Sequence, residues 1–151
     1  IFRVHQFDKV EMFSFVEPSA SAEEHDRLLA LEERILGELE LPYRVVNVAV
    51  GDLGAPAAKK YDCEAWIPSQ ERYRELTSCS NTTDFQARRM GCRYRPEEGA
   101  GPEPVHTLNG TAIAVGRALI ALIENRQERD GSFSLPNSLQ AYGCPDRIAA
   151  R

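Results

Sequence analysis

Residues 112–123 are all apolar or small except Arg117. A helix apolar on every side has no face to give to water and is normally buried. Burying a guanidinium within it is costly unless a carboxylate or a phosphate meets it. The residues alone leave two readings of Arg117. It forms an internal ion pair with its stem along apolar neighbours, or it clamps a phosphate, for which its planar fork suits better than lysine. The run is too short for a membrane span, which needs roughly 20 apolar residues. The pattern predicts one long helix over residues 111–127, opened by Asn109-Gly110-Thr111. Free N–H groups at such an opening favour a polar or anionic ligand, and a plain strand-to-helix turn accounts for the same residues.

The rest of the chain carries strand and helix signals. Residues 2–16 mix Val, Phe and Met with charged side chains, as in a half-buried strand that Pro18 ends. Ser21 and Glu24 form a capping-box signature. Leu28, Leu31, Ile35 and Leu39, widened by Leu29 and Leu36, then follow at helical spacing up to Pro42. Residues 43–50 and 63–67 read as strands, with a Gly-Ala-Pro-Lys loop over 51–60 between them. A strand is predicted over 73–80 and a short helix over 84–90, capped by Asp84 and left at Gly91. A loop over 97–104, a short strand over 105–109, a turn at Asp130-Gly131 and a strand over 132–135 follow. No repeat or linker divides the chain. The mix predicts one α+β domain with a mainly antiparallel sheet.

Composition narrows the function classes. Hydrophobic residues make up 42% and charged residues 27%, an ordinary globular balance. A net charge of −5 argues against a sequence-blind nucleic-acid coat but leaves room for an enzyme that touches RNA with one local patch. No apolar leader is present, and a start on Ile1 predicts that the chain begins inside something larger. Cys63, Cys79, Cys92 and Cys144 contain no C-x-x-C pair, which predicts reduced thiols in the cytoplasm instead of a zinc knuckle or a disulfide framework. Lys59 and Lys60 follow Gly54 without the second glycine of a P-loop, and Gly99 and Gly101 lack the third glycine of a dinucleotide site. His5, His25 and His106 have no metal-ligand spacing.

Two polar faces remain. Strict alternation places Glu75, Thr77 and Cys79 on one side of their strand and Ser78 and Ser80 on the other. Hydroxyls this dense are poor core material and suit a wet site or a polar edge. Arg3, His5, Phe7, Lys9 and Glu11 share a face of the first strand. An aromatic platform among charges can hold a base and a polar amino acid, or simply face solvent.

Taken together, three segments resemble the seryl-tRNA synthetases, a family of class II aminoacyl-tRNA synthetases. Phe2-Arg3-Val4-His5-Gln6-Phe7-Asp8-Lys9-Val10-Glu11 resembles the second half of their motif 2. Arg72-Tyr73-Arg74-Glu75-Leu76-Thr77-Ser78-Cys79-Ser80-Asn81 resembles their strand between motifs 2 and 3. Thr107-Leu108-Asn109-Gly110-Thr111, with Gly116-Arg117 and Glu124-Asn125, resembles motif 3. Order and spacing fit over nearly the whole chain.

The resemblance implies an α+β class II fold, an antiparallel sheet flanked by helices, with residues 1–151 as the C-terminal portion of the catalytic domain. It implies ATP-dependent activation of serine to seryl-adenylate and transfer to tRNA(Ser), with Mg²⁺, in a cytoplasmic homodimer. It assigns ATP to Arg3, Val4, Phe7, Glu75, Leu76, Thr77, Ser78 and Arg117. In this assignment Phe7 stacks on adenine, the backbone at Val4 holds the base, and Arg117 meets the γ-phosphate. Serine falls to Glu11, Asn109 and Thr111, Mg²⁺ to Glu75 and Ser78, and catalysis to Arg117 and Glu75. Motif 1, the first strand of motif 2, the serine-binding loop and the tRNA-gripping coiled-coil arm have no counterpart here. The resemblance therefore implies an active parent enzyme and a piece that is inactive and unstable alone. Two alternatives are a synthetase-like ligase loading a non-tRNA carrier, which the arm would distinguish, and a non-catalytic paralogue serving as a binding module. Intact matches at Phe7, Glu11, Glu75, Ser78, Thr111 and Arg117 speak against the second.

Overall fold

The structure, a computed structural model, describes residues 2–150. Its centre is a five-stranded sheet in the order β1 (Lys9–Val16), β7 (His106–Ala114), β4 (Arg72–Asn81), β3 (Lys59–Ile67) and β2 (Tyr43–Asn47), every pair antiparallel. Helix α1 (Ser21–Glu38) and helix α3 (Val115–Arg126) cover one face of it. Leu36, Leu39, Cys63, Ala65, Ile67, Leu76, Ala121 and Leu122 form the core between helices and sheet. Helix α2 (Phe85–Met90) follows β4, and small hairpins pair β5 (Arg93–Tyr94) with β6 (Glu103–Pro104) and β8 (Phe133–Ser134) with β9 (Arg147–Ile148). Helix α4 (Asn137–Gln140) lies between the last two. The other face of the central sheet is open, with polar side chains in its middle and Phe13 and Phe15 exposed on its β1 edge.

Several expected boundaries move: β3 begins at Lys59 within the loop expected over 51–60, β2 ends at Asn47, and two larger shifts lie at β1 and at the start of α3. The first strand begins at Lys9, not at residue 2. Its partner β7 ends at Ala114 opposite Lys9, and the Val115 N–H donates to Asp8 O at 3.0 Å, so no ladder remains for residues 2–8. The expected strand over 105–109 runs on to Ala114, and α3 starts only at Val115. Asn109-Gly110-Thr111 therefore sits inside a strand and opens no helix. Pairing with β1 along 106–114, at every position but Ala112, outweighs the helical pattern of the apolar run. The run divides between strand and helix, and α3 is one-sided, with Ala118, Ala121 and Leu122 inside and Leu119 outside.

Helix α1 forms as predicted, though not by its predicted cap. Ser21 is already helical, wound on by the turn Pro18–Ala20, and its hydroxyl donates to Pro18 O. Glu24 is taken instead by the Ser14 hydroxyl and by Arg27 at 2.7 Å. At the other end Glu40 adopts φ 54°, and Leu41 N–H reaches Leu36 O at 3.1 Å. This left-handed exit is one that glycine usually fills. The buried seam of α1 also runs along a line other than the leucine stripe, through Ser21, His25, Leu28, Glu32 and Leu36. In α2, Gly91 makes the predicted left-handed exit at φ 69°, while Asp84 pairs with Arg88 and caps nothing.

Gly110 permits the closest approach of any glycine in the chain. A Cβ there would stand 2.9 Å from Glu32 Oε1, 3.1 Å from Cys79 Cβ and 3.2 Å from Met12 Cε. Gly110→Ala is therefore expected to destabilise the protein by about 1–3 kcal/mol through overpacking, read as a lower midpoint in chemical denaturation. An unchanged midpoint would mean that α1 moves away from the sheet at little cost.

Candidate active site

The open face gathers its polar groups by ladder register. Glu11 stands opposite Thr111, and Phe13 opposite Asn109. Glu11 Oε1 accepts from Asn109 Nδ2 at 3.0 Å, and Oε2 accepts from Thr111 Oγ1 at 2.9 Å. Lys9 Nζ lies 2.7 Å from the same Oε2. The residues to which the resemblance gives serine thus form one connected cluster, joined by Lys9, which strand alternation places on the same face as Glu11. Burial raises the Glu11 carboxyl, but hydrogen bonds from Lys9, Asn109 and Thr111, with the lysine's charge, outweigh it and hold the group below its ordinary value. An ionised carboxylate among side-chain amide and hydroxyl groups suits a small ligand bearing an ammonium and a hydroxyl.

The neighbouring strand departs from simple alternation. Cys63 pairs with Thr77, but Glu64 pairs with Glu75, so Leu76 is an extra residue, a β-bulge. The bulge reverses the expected facing. Glu75 joins Ser78 and Ser80 on the open face, while Leu76 turns into the core and Thr77 hydrogen-bonds Glu32 behind the sheet. The side chains of Leu76 and Thr77 are therefore turned away from the cleft, and only their backbone can run along a ligand there.

Arg117, in the first turn of α3, reaches over the end of the sheet to Glu75. Its Nη1 donates to Glu75 O at 2.9 Å and approaches Glu75 Oε2 at 3.4 Å. Lys60 Nζ stands 3.7 Å from Glu75 Oε1. The internal ion pair read from the sequence exists, yet its side-chain contacts are loose. Phe7, Glu75, Ser78, Thr111 and Arg117 line one open cleft of about 500 Å³. It adjoins a more apolar recess of about 380 Å³ walled by Phe2, Arg3, Val4, Phe7 and Arg117. Arg3 and Phe7 meet Arg117 there from an irregular segment, not from a strand face. His5 is exposed and joins neither lining.

Among the described residues no group of three or more His, Cys, Asp or Glu side chains could hold a metal ion by itself. The donor chemistry nevertheless fits Mg²⁺ carried by phosphates. That ion keeps several waters and takes only one or two protein carboxylates beside phosphate oxygens. Glu75 and Ser78 offer a carboxylate and a hydroxyl on one face. Beside them stands Asp62, paired with Ser78 on the ladder, whose Oδ1 is met by Lys60 Nζ at 2.8 Å. Burial raises the Asp62 carboxyl, Lys60 draws it back, and Glu75 and Glu64 push it up again, leaving it above its ordinary value.

Behind the cleft α1 touches β4 through polar groups that the leucine stripe concealed. Asn81 Nδ2 donates to Ser21 O at 3.1 Å, the His25 ring meets Cys79 O at 3.1 Å, and Thr77 Oγ1 donates to Glu32 Oε2 at 3.0 Å. Glu32 is 0% exposed, and its Oε1 has no hydrogen-bond partner. Burial, joined by the charges of Glu11 and Asp62, pushes its carboxyl up to about 7 against the hydrogen bonds from Thr77 and Cys63. The nearby Cys63 thiol is likewise pushed up by burial, to about 12, and all four cysteines are free.

An antiparallel sheet with helices on one face, and an arginine–carboxylate cleft on the other, is the arrangement of a class II synthetase core. The chain belongs to that family: the family model described as tRNA synthetase class II core domain (G, H, P, S and T) matches residues 1–126. Within it, the chain is 59% identical to the serine–tRNA ligase of Rubrobacter xylanophilus over 142 residues, 94% of this chain and 33% of that protein. It is 58% identical to the serine–tRNA ligase of Streptomyces coelicolor over the same shares. The seryl-tRNA synthetase of Pyrococcus horikoshii, solved in complex with ATP, superposes with a TM-score of 0.97 at 50% identity, covering 99% of this chain and 34% of that one. The cytoplasmic serine–tRNA ligase of Naegleria fowleri, solved with AMP, does so with a TM-score of 0.91 at 41% identity, covering 99% of this chain and 36% of that one. The chain thus spans about a third of the length of the relatives it matches.

Proposed function

We propose that this chain is the C-terminal portion of the catalytic domain of a serine–tRNA ligase. The observation that carries this reading is the Glu11–Asn109–Thr111 cluster beside the Arg117–Glu75 cleft: a seat for a small polar amino acid next to a seat for phosphates. In the reaction, an oxygen of serine's carboxylate attacks the α-phosphorus of ATP, and pyrophosphate leaves. A ribose hydroxyl of the terminal adenosine of tRNA(Ser) then attacks the seryl carbonyl, releasing AMP. No covalent bond to the protein is needed, so catalysis is positioning and charge stabilisation.

Glu11 accepts from serine's ammonium or hydroxyl while Asn109 and Thr111 orient it. Phe7 stacks on adenine, the backbone at Val4 holds the base, and Arg3 and Arg117 meet the phosphates. The backbone of Leu76 and Thr77 runs along the nucleotide. Glu75 and Ser78 would hold Mg²⁺, which supplies charge neutralisation to the phosphates when bound. The reading includes a cytoplasmic homodimer; among the described residues no helix is long and apolar enough to cross a membrane.

The test is Glu11→Gln in the full-length protein, followed by serine-dependent ATP–pyrophosphate exchange. Losing one charged acceptor is expected to raise the KM for serine about 10- to 100-fold while moving the KM for ATP far less. Equal losses for both substrates would make Glu11 a holder of the strand and not of the amino acid.

A further inference from the structure

Beyond Arg117 the cleft continues into a recess of about 350 Å³ lined by Phe2, Arg3, Arg74, Glu75 and Arg117. Three guanidiniums against a single carboxylate leave this recess net cationic. Among the described residues neither Arg3 nor Arg74 forms an ion pair, and Glu75 is already shared between Arg117 and Lys60. Gathering like charges around one acid is uphill unless a polyanion joins them.

Arg74 is also held ready for such a ligand. Its Nη1 donates to Gln70 Oε1 at 2.9 Å, and its guanidinium lies 4.8 Å from the Phe2 ring centroid. Arg117 approaches the same ring at 5.9 Å, so one aromatic side chain supports both forks. A planar fork with donors to spare suits phosphate oxygens in a way that lysine cannot reproduce.

We propose that Arg74 is a third cation for the polyphosphate end of the bound nucleotide, acting beside Arg3 and Arg117 on the group that leaves as pyrophosphate. This rests on the reading that the cleft takes ATP. Arg74 then discriminates between nucleotides: it contributes to binding ATP and inorganic pyrophosphate, and contributes nothing to AMP, which lacks the outer phosphates.

The experiment measures dissociation constants of ATP, pyrophosphate and AMP for the full-length protein by calorimetry, in wild type, Arg74→Ala and Arg74→Lys. The expected result for Arg74→Ala is about tenfold weaker binding of ATP and pyrophosphate, from the loss of one charged donor. AMP affinity should stay within about twofold and serves as the control for an intact fold. Arg74→Lys should recover only part of the loss. Unchanged ATP affinity, or equal weakening of ATP and AMP, overturns the proposal. A wild-type protein that binds neither nucleotide would overturn the ATP reading itself, and the proposal with it. One that binds ATP and ignores Arg74→Ala overturns this inference alone.

Discussion

Arg117→Ala in the full-length protein is expected to lower serine-dependent pyrophosphate exchange about 100- to 1,000-fold, the scale of removing one preorganised donor to transition-state charge. Both contacts of its guanidinium to Glu75 use Nη1 alone, which leaves the rest of the fork to face the cleft it lines. Its side chain is 30% exposed, so deletion opens no sealed cavity, and the loss of stability should stay near 1 kcal/mol. The measurement is exchange rate and melting temperature on the same preparation. A large rate loss with a small thermal shift supports the phosphate clamp. Near-normal exchange with a clear drop in melting temperature would leave Arg117 as a tie between α3 and β4 and nothing more.

Glu32 predicts a larger effect on stability than the loss of Arg117. Its carboxyl titrates near 4.5 in an unfolded chain and is pushed up to about 7 in the fold. Between those values the folded state binds more protons than the unfolded one, so folding free energy is lost as pH rises. The contribution is intact below the unfolded value and gone above the folded one, about 3 kcal/mol in all. His25 works in the opposite sense. Burial lowers its pKa, so its share of stability grows as pH rises toward the ordinary value of 6.5. The two partly cancel in the wild type, and a single pH profile cannot separate them. Glu32→Gln can, because the histidine is common to both proteins. Glutamine keeps an acceptor for Thr77 and carries no charge at any pH. The variant is expected to be close to wild type near pH 5 and more stable at pH 8, measured by denaturation midpoints across that range. Identical slopes for the two proteins would mean that Glu32 ionises without penalty, through water or rearrangement.

The strand-rich order and the position of α1 were legible from residue types, while the residues of the cleft were picked out by their resemblance to the family's motifs and not by residue type alone. Apolar spacing, proline stops and three motif-like segments each report local chemistry that folding preserves. Most of the errors share one cause, which is partnership between distant segments. Residues 111–114 look helical because the apolar run continues through them, and only β1, some 100 positions away, makes them strand: Thr111 faces Glu11 with |i−j| of 100. Residues 2–8 look like strand, and the end of the same ladder denies them a partner. The capping box failed because Ser14 and Arg27 compete for Glu24. Glu32 and His25 were hidden among leucines, since nothing local shows that a charged position on an amphipathic helix lies on its inner seam.

The extra residue at Leu76 has a consequence for how this site can change. A bulge makes the strand's facing depend on chain length as well as on residue identity. Deleting one residue between Glu75 and Thr77 would restore strict alternation while preserving nearly every side chain. Glu75 would keep its pairing with Glu64 and its place on the open face beside Ser78 and Lys60, and the core would lose the Leu76 side chain. The same holds at Ala112, the unpaired position where β7 passes Val10 and Glu11. Losing the unpaired residue at either point keeps the facing of both flanks, whereas losing a residue at a regularly paired position rotates an entire half-strand out of the cleft. Length changes should therefore be tolerated at the two bulges and excluded from the paired positions around them, even where residue types there vary freely.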